Sequence, residues 1–143
     1  MIRETIDKWH RHLRGELPGG LDELLHDDCV FWSPVVFAPQ RGKDLTKLYL
    51  NAAYQVMPGE PGESHEVGVG GSSFRYTKQV LDGHHAVLEF ETRIGDTEVN
   101  GVDIITCDDD ARIVEFKVML RPQRAIEAVR GQMAAAIEAL QKG

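Results

Sequence analysis

The sequence predicts an α+β domain in which a strongly curved antiparallel sheet wraps around N-terminal helices, with an extra helix at the C-terminus. Three observations predict it. Apolar residues recur at helical spacing near both ends of the chain, at Ile2, Ile6, Trp9 and Leu13 and again at Ile126, Val129, Met133, Ile137 and Leu140. Between them, residues 74 to 120 follow the two-residue alternation of strands. The signals that interrupt this alternation, Asp82-Gly83, Gly95-Asp96-Thr97 and Asp108-Asp109-Asp110, are short enough to join antiparallel neighbours. Helices segregated from such a meander make an α+β layer fold. A twisted sheet of this extent can wrap partly around the helices and leave a cavity between the layers.

The elements follow in order. The first helix is stopped by Gly15 and by Pro18-Gly19-Gly20. A short helix over Leu21 to Leu25 has Asp22 and Glu23 near its positive N-terminal end. Cys29-Val30-Phe31-Trp32 is a short run of strand formers closed by Ser33-Pro34. Arg41-Gly42-Lys43 reads as a turn. The third helix carries Leu45, Leu48, Tyr49, Ala52, Ala53 and Val56 at helical period until Pro58 ends it. Pro58 to Ser64 is loop-like, and Glu60-Pro61-Gly62-Glu63-Ser64 reads either as a lid or as an inert loop. Strands are expected over Phe74 to Val80, Ala86 to Thr92, Val99 to Cys107 and Ile113 to Leu120. Arg121-Pro122 opens the last helix, expected over about 122–141, because proline suits a first turn. With 143 residues, one domain over 1–143 is expected, its core at about 2–120.

Composition excludes several classes of function. Hydrophobic residues make up 42% and charged residues 27%, a globular mixture in which no apolar run approaches a membrane span. The charged N-terminus, Met1 to Lys8, lacks the apolar stretch of a secretion signal, so a cytoplasmic protein is expected. Cys29 and Cys107 then read as buried thiols. A net charge of −7 with scattered basic residues argues against nucleic acid, which demands a concentrated positive surface. His10 and His12 point to different sides of a helix, and the adjacent His84 and His85 sit beside a turn. No pair has the i, i+4 spacing of a helical metal site, so no metal is expected.

Three passages carry a family resemblance. Leu24-Leu25-His26-Asp27-Asp28-Cys29-Val30-Phe31-Trp32-Ser33-Pro34 is similar to a "helix, acidic turn, first strand, proline" passage. Gly42-Lys43-Asp44-Leu45 is similar to a glycine that opens a third helix. Val102 to Ile113 is similar to a last hairpin of strand, acidic turn and strand. Together, over residues 2 to 120, the chain resembles the nuclear transport factor 2-like superfamily, which holds ketosteroid isomerases, limonene epoxide hydrolases and SnoaL-type polyketide cyclases. The resemblance implies a cone-shaped fold whose cavity takes a small apolar molecule bearing a carbonyl or hydroxyl group. It also implies acid–base chemistry without a cofactor, and a homodimer through the outer face of the sheet.

Asp103 is the candidate catalytic residue. Alternation places it on one face with Val99, Gly101, Ile105 and Cys107, and the other face is also largely apolar, so a strand covered on both sides is expected. A carboxyl group there loses solvation, which favours its neutral form and raises its pKa. It can then donate a hydrogen bond to a carbonyl or enolate oxygen, or shuttle a proton near neutral pH. The resemblance implies the same role, since ketosteroid isomerases keep a protonated aspartate at the corresponding place. Two partners of that machinery are missing. Ser33 occupies the position of the isomerase's general base, and Trp9 that of its helix tyrosine. A serine without an activating base does not abstract a carbon-bound proton. The epoxide hydrolase pattern fails too, with Glu89 and Glu91 in one strand and Phe116-Lys117-Val118 in the last. The cyclase pattern fails at Phe116 and Met119. The bland alternative for Asp103 is a structural carboxylate that accepts bonds from a tyrosine, a tryptophan or buried backbone.

Trp9, Trp32, Ser33, Tyr49, Tyr54 and Phe90 are the candidate ligand-binding residues. Phe31 is a further aromatic of the same kind, and for all of these aromatics ordinary core packing is the alternative. Two functions stay open: an isomerase-, cyclase- or hydratase-type enzyme, and a non-catalytic ligand-binding or association module.

Overall fold

The computed structural model describes residues 1–57 and 74–142, so the loop-like stretch from Pro58 to Ser64 lies outside the described residues. The elements are α1 (Ile2–Leu13), α2 (Gly20–Leu24), β1 (Leu25–Trp32), β2 (Gln40–Arg41), α3 (Lys43–Val56), β3 (Arg75–Asp82), β4 (His85–Ile94), β5 (Thr97–Cys107), β6 (Ile113–Arg121) and α4 (Gln123–Lys142). They are the expected helices and strands, with β2 added.

Helix α1 buries Ile2, Thr5, Ile6, Trp9 and Leu13, the expected stripe plus a threonine. Thr5 earns its buried position with a hydrogen bond, its Oγ1 donating to the Ala111 carbonyl at 3.0 Å. That bond ties α1 to the turn between β5 and β6. In the same first turn of α1, the Ile2 amide donates to the Gly83 carbonyl at 2.9 Å, so two hairpin turns of the sheet anchor the N-terminal end of the helix.

The described strands form one six-stranded sheet in the order β2-β1-β6-β5-β4-β3. It is mixed and not wholly antiparallel as expected: β1 runs parallel to β6, with Phe31 opposite Phe116 and Trp32 opposite Lys117. A parallel pair needs a long crossover, and here everything from Ser33 to Arg112 supplies it. Short turn signals reveal hairpins but carry no trace of such a remote pairing. β1 also starts at Leu25, four residues before the expected strand. Leu25 pairs with Ile113, and a shift of register before Val30 lets Asp27 and Asp28 stay exposed. This strand takes Leu25 from the short helix expected to end there. Arg41 belongs to β2, which pairs with Val30 and Phe31, so the expected Arg41-Gly42-Lys43 turn is only Gly42, at φ 100°, where β2 gives way to α3.

In β5 the alternation is as expected. Val99, Gly101, Asp103, Ile105 and Cys107 are buried. Asn100, Val102, Ile104 and Thr106, on the outer face, are only half-buried, so the described residues do not fully cover that side and the strand expected to be covered on both faces is closed on one. Gly101 has no room for a side chain: a Cβ would stand 2.6 Å from both Phe90 Cζ and Leu120 Cδ2. Its partner in register on β4 is Phe90, whose ring occupies the space.

Helix α4 packs against α3 and against β4, β5 and β6. It buries Ala125, Val129, Met133 and Ala136, while Ile126, Ile137 and Leu140 of the expected stripe are half-buried. Cys29 and Cys107 are buried free thiols, and burial pushes the Cys29 thiol up. Among the described residues no helix is long and apolar enough to cross a membrane.

Candidate functional site

Between the inner face of the sheet and helices α1, α3 and α4 lies a cavity of about 260 Å³. Its wall is aromatic and aliphatic: Phe31, Phe74, Phe90 and Phe116 from the strand side, and Tyr49, Met57, Val129 and Met133 from the helices. Ser33, Pro34, Val35 and Val36, which follow β1, complete it.

One carboxyl group stands in this apolar wall. Asp103 is 6% exposed and lies in register between Leu88 on β4 and Val118 on β6, both buried aliphatics. Burial raises its pKa from 3.8 to about 7, against the opposing effect of a hydrogen bond from Tyr76. That bond is short, the Tyr76 hydroxyl donating to Asp103 Oδ2 at 2.6 Å. The Tyr76 oxygen in turn accepts from Trp9 Nε1 at 3.0 Å. A chain of donors therefore runs from α1 through β3 to the carboxyl group on β5. With Oδ2 engaged, the proton of the neutral acid belongs on Oδ1, the oxygen that makes no hydrogen bond with a described residue.

The rings around Tyr76 fix its position. Phe74 meets it edge-on at 5.1 Å between centroids, and Phe90 does the same at 6.2 Å. Phe116 packs against Trp9 at 5.0 Å and against Phe31 at 6.2 Å. Aromatic pairs at such distances hold one another's orientation as well as excluding water.

The structure brings most of the sequence-predicted site residues together. Asp103, Trp9, Ser33, Tyr49, Tyr54 and Phe90 all line the cavity. Trp9 has a polar role besides, as the donor to Tyr76. Ser33 turns its Oγ to the chain itself, accepting from the amides of Val35 at 3.0 Å and Val36 at 3.2 Å. Tyr54 is 45% exposed and stands at the opening. Trp32 is not brought in, which corrects that expectation. Alternation along β1 sends Phe31 inward and Trp32 to the opposite face. There its Nε1 donates to Glu115 Oε2 at 2.8 Å and Lys117 Nζ sits 5.0 Å over its ring.

Two polar lining residues escape the sequence: Tyr76 reads only as part of an alternating strand, and Arg130 only as part of a helix. Among the described residues no group of three or more His, Cys, Asp or Glu side chains is placed to hold a metal ion.

No protein-family model and no curated protein matches the chain. Solved structures do. A steroid delta-isomerase from Pseudomonas aeruginosa is 32% identical, with a TM-score of 0.83 over 99% of this chain and 95% of that one. An uncharacterised protein with a cystatin-like fold from Silicibacter pomeroyi is 27% identical, with a TM-score of 0.75 over 92% of this chain and 83% of that one. An NTF2-like protein of unknown function from Mesorhizobium loti, 21% identical with a TM-score of 0.63 over 85% of this chain and 91% of that one, shares the fold.

Proposed function

Because the chain belongs to the nuclear transport factor 2-like superfamily, with its ketosteroid isomerase-like and SnoaL-like members, we propose that its cavity receives a small apolar molecule through a carbonyl or hydroxyl oxygen. The observation that carries this reading is the Asp103 carboxyl group, held by Tyr76 in an otherwise apolar wall. As a neutral acid, Asp103 donates from Oδ1 to the ligand's oxygen. If negative charge develops on that oxygen, as in an enolate, the bond strengthens, because the surrounding wall is apolar and the donor is already oriented. A carboxyl group half-ionised near pH 7 also takes up and returns protons at little cost. Isomerisation, cyclisation and hydration all fit such a group. The reading includes a sheet curved around the cavity, as the superfamily's cone shape implies.

The rival reading is a binding module of the same fold. Asp103 is the only carboxyl group among the described residues lining the cavity, so no second one stands ready as a separate base. Ser33 Oγ is occupied by two backbone amides and does not substitute for one.

The test is calorimetric binding of neutral steroid and terpenoid ketones to wild type and to Asp103→Asn. At least one ketone is expected to bind, and the variant, which offers a weaker amide donor, to bind it about tenfold less tightly. Equal affinity in both proteins, or no binding to wild type, contradicts the proposal. Turnover of the same ketones then separates enzyme from binding module.

A further inference from the structure

Arg130 is the only cationic side chain among the described residues that line the cavity. It stands on α4 between Val129 and Met133, which are buried in the same wall, yet Arg130 itself is exposed. A residue that both lines a cavity and meets solvent marks its opening, as does Tyr54 on α3. The buried carboxyl group of Asp103 marks the deep end. Arg130 is not spent on the protein's own charges. It makes no ion pair with a described residue, not even with Glu127, one turn earlier on the same helix. In a chain of net charge −7, an uncommitted guanidinium at the rim of an apolar cavity gives one local attraction for anions. The planar guanidinium fork matches a carboxylate with two parallel hydrogen bonds.

We infer that the ligand is an apolar oxo- or hydroxy-carboxylic acid, its oxygen function against Asp103 and its carboxylate on Arg130 at the rim. This rests on the reading of the cavity given above. The two polar ends fix which way round the molecule enters, and the apolar body between them fills the wall of Phe31, Phe90 and Phe116. Selection between acids and their neutral analogues then belongs to α4.

The experiment uses a pair of probes that share one steroid body and differ in the charge of its carboxyl group: oxoandrostene carboxylic acid and its methyl ester, which adds one methyl. Their affinities are measured by calorimetry for wild type, Arg130→Met and Asp103→Asn. Methionine preserves an unbranched stem against the wall, so packing is largely retained. Wild type is expected to bind the acid about fivefold more tightly than the ester, the size of an exposed ion pair. That preference narrows with added salt. Arg130→Met is expected to bind the ester as wild type does and to show no preference. An acid-to-ester ratio unchanged in Arg130→Met, or an ester preferred by wild type, overturns the inference. If the ester binds and Asp103→Asn weakens it while the ratio ignores Arg130, only this inference falls. If neither probe binds wild type, the cavity reading falls with it.

Discussion

Replacing Asp103 with asparagine is expected to leave a protein that outlasts wild type under alkaline conditions and loses a pH dependence of stability. The folded chain holds the Asp103 carboxyl at about 7, against 3.8 for the free group, because burial penalises its charged form. Between those values the folded state binds a proton that the unfolded state has released. Stability from this group is therefore fully present below about pH 4 and falls as pH rises to about 7, where the loss levels off. The gap corresponds to about 4 kcal/mol at 1.36 kcal/mol per pH unit. Asparagine has no charged form to penalise and keeps an oxygen to accept from Tyr76, so it leaves no orphaned hydroxyl. Denaturant unfolding of both proteins at pH 5 and pH 9 measures the effect. The stability of the variant relative to wild type should grow by about 3 kcal/mol across that interval. A difference that stays constant with pH contradicts the buried acid.

Phe116→Ala is expected to lower stability by about 3–5 kcal/mol. Phe116 is among the largest fully buried side chains. It sits on β6 opposite Phe31 and Ile105, with its ring against Trp9 and Phe31. Truncation removes its contacts from both layers, and the space joins a cavity the fold already keeps open, so little of it closes by collapse. Trp9 loses the ring that fixes its orientation, and with it the donor to Tyr76 becomes loose. The variant should therefore also bind ketones more weakly than wild type does. Urea unfolding at fixed pH checks the first effect, and a loss below about 1 kcal/mol would show that Phe116 is not a keystone of the packing.

What was readable in the sequence follows from how local each signal is. The stripe of α1, the Asp82-Gly83 and Gly95 turns and the alternation that buries Asp103 are all set within a few residues, and each was legible. Trp32 was not. Cys29-Val30-Phe31-Trp32 is apolar throughout, so alternation names no inner residue, and only the pairing with β2 and β6 decides it. Tyr76 was hidden by a single bulge. Counting back from Asp82-Gly83, Lys78 pairs with Glu89, which would put Thr77 opposite Phe90 and turn Tyr76 outward. A register shift between Tyr76 and Lys78 instead sets Tyr76 opposite Phe90, on the cavity side. One extra residue flips every side chain beyond it to the other face. The aspartate was thus visible from its own strand, while the tyrosine that holds it depended on an irregularity two strands away. Arg130 depended on how α4 rotates against α3, which the helix's apolar stripe leaves open by a residue or two.

The central claim is that Asp103 in the resting cavity keeps its proton up to about pH 7, and a titration of its carboxyl carbon by NMR tests this most directly. With aspartate labelled at that carbon, and Asp103→Asn to assign the resonance, the expected midpoint lies near pH 7. A midpoint near 4 would mean that Asp103 is ionised and well solvated, with no proton to offer a ligand.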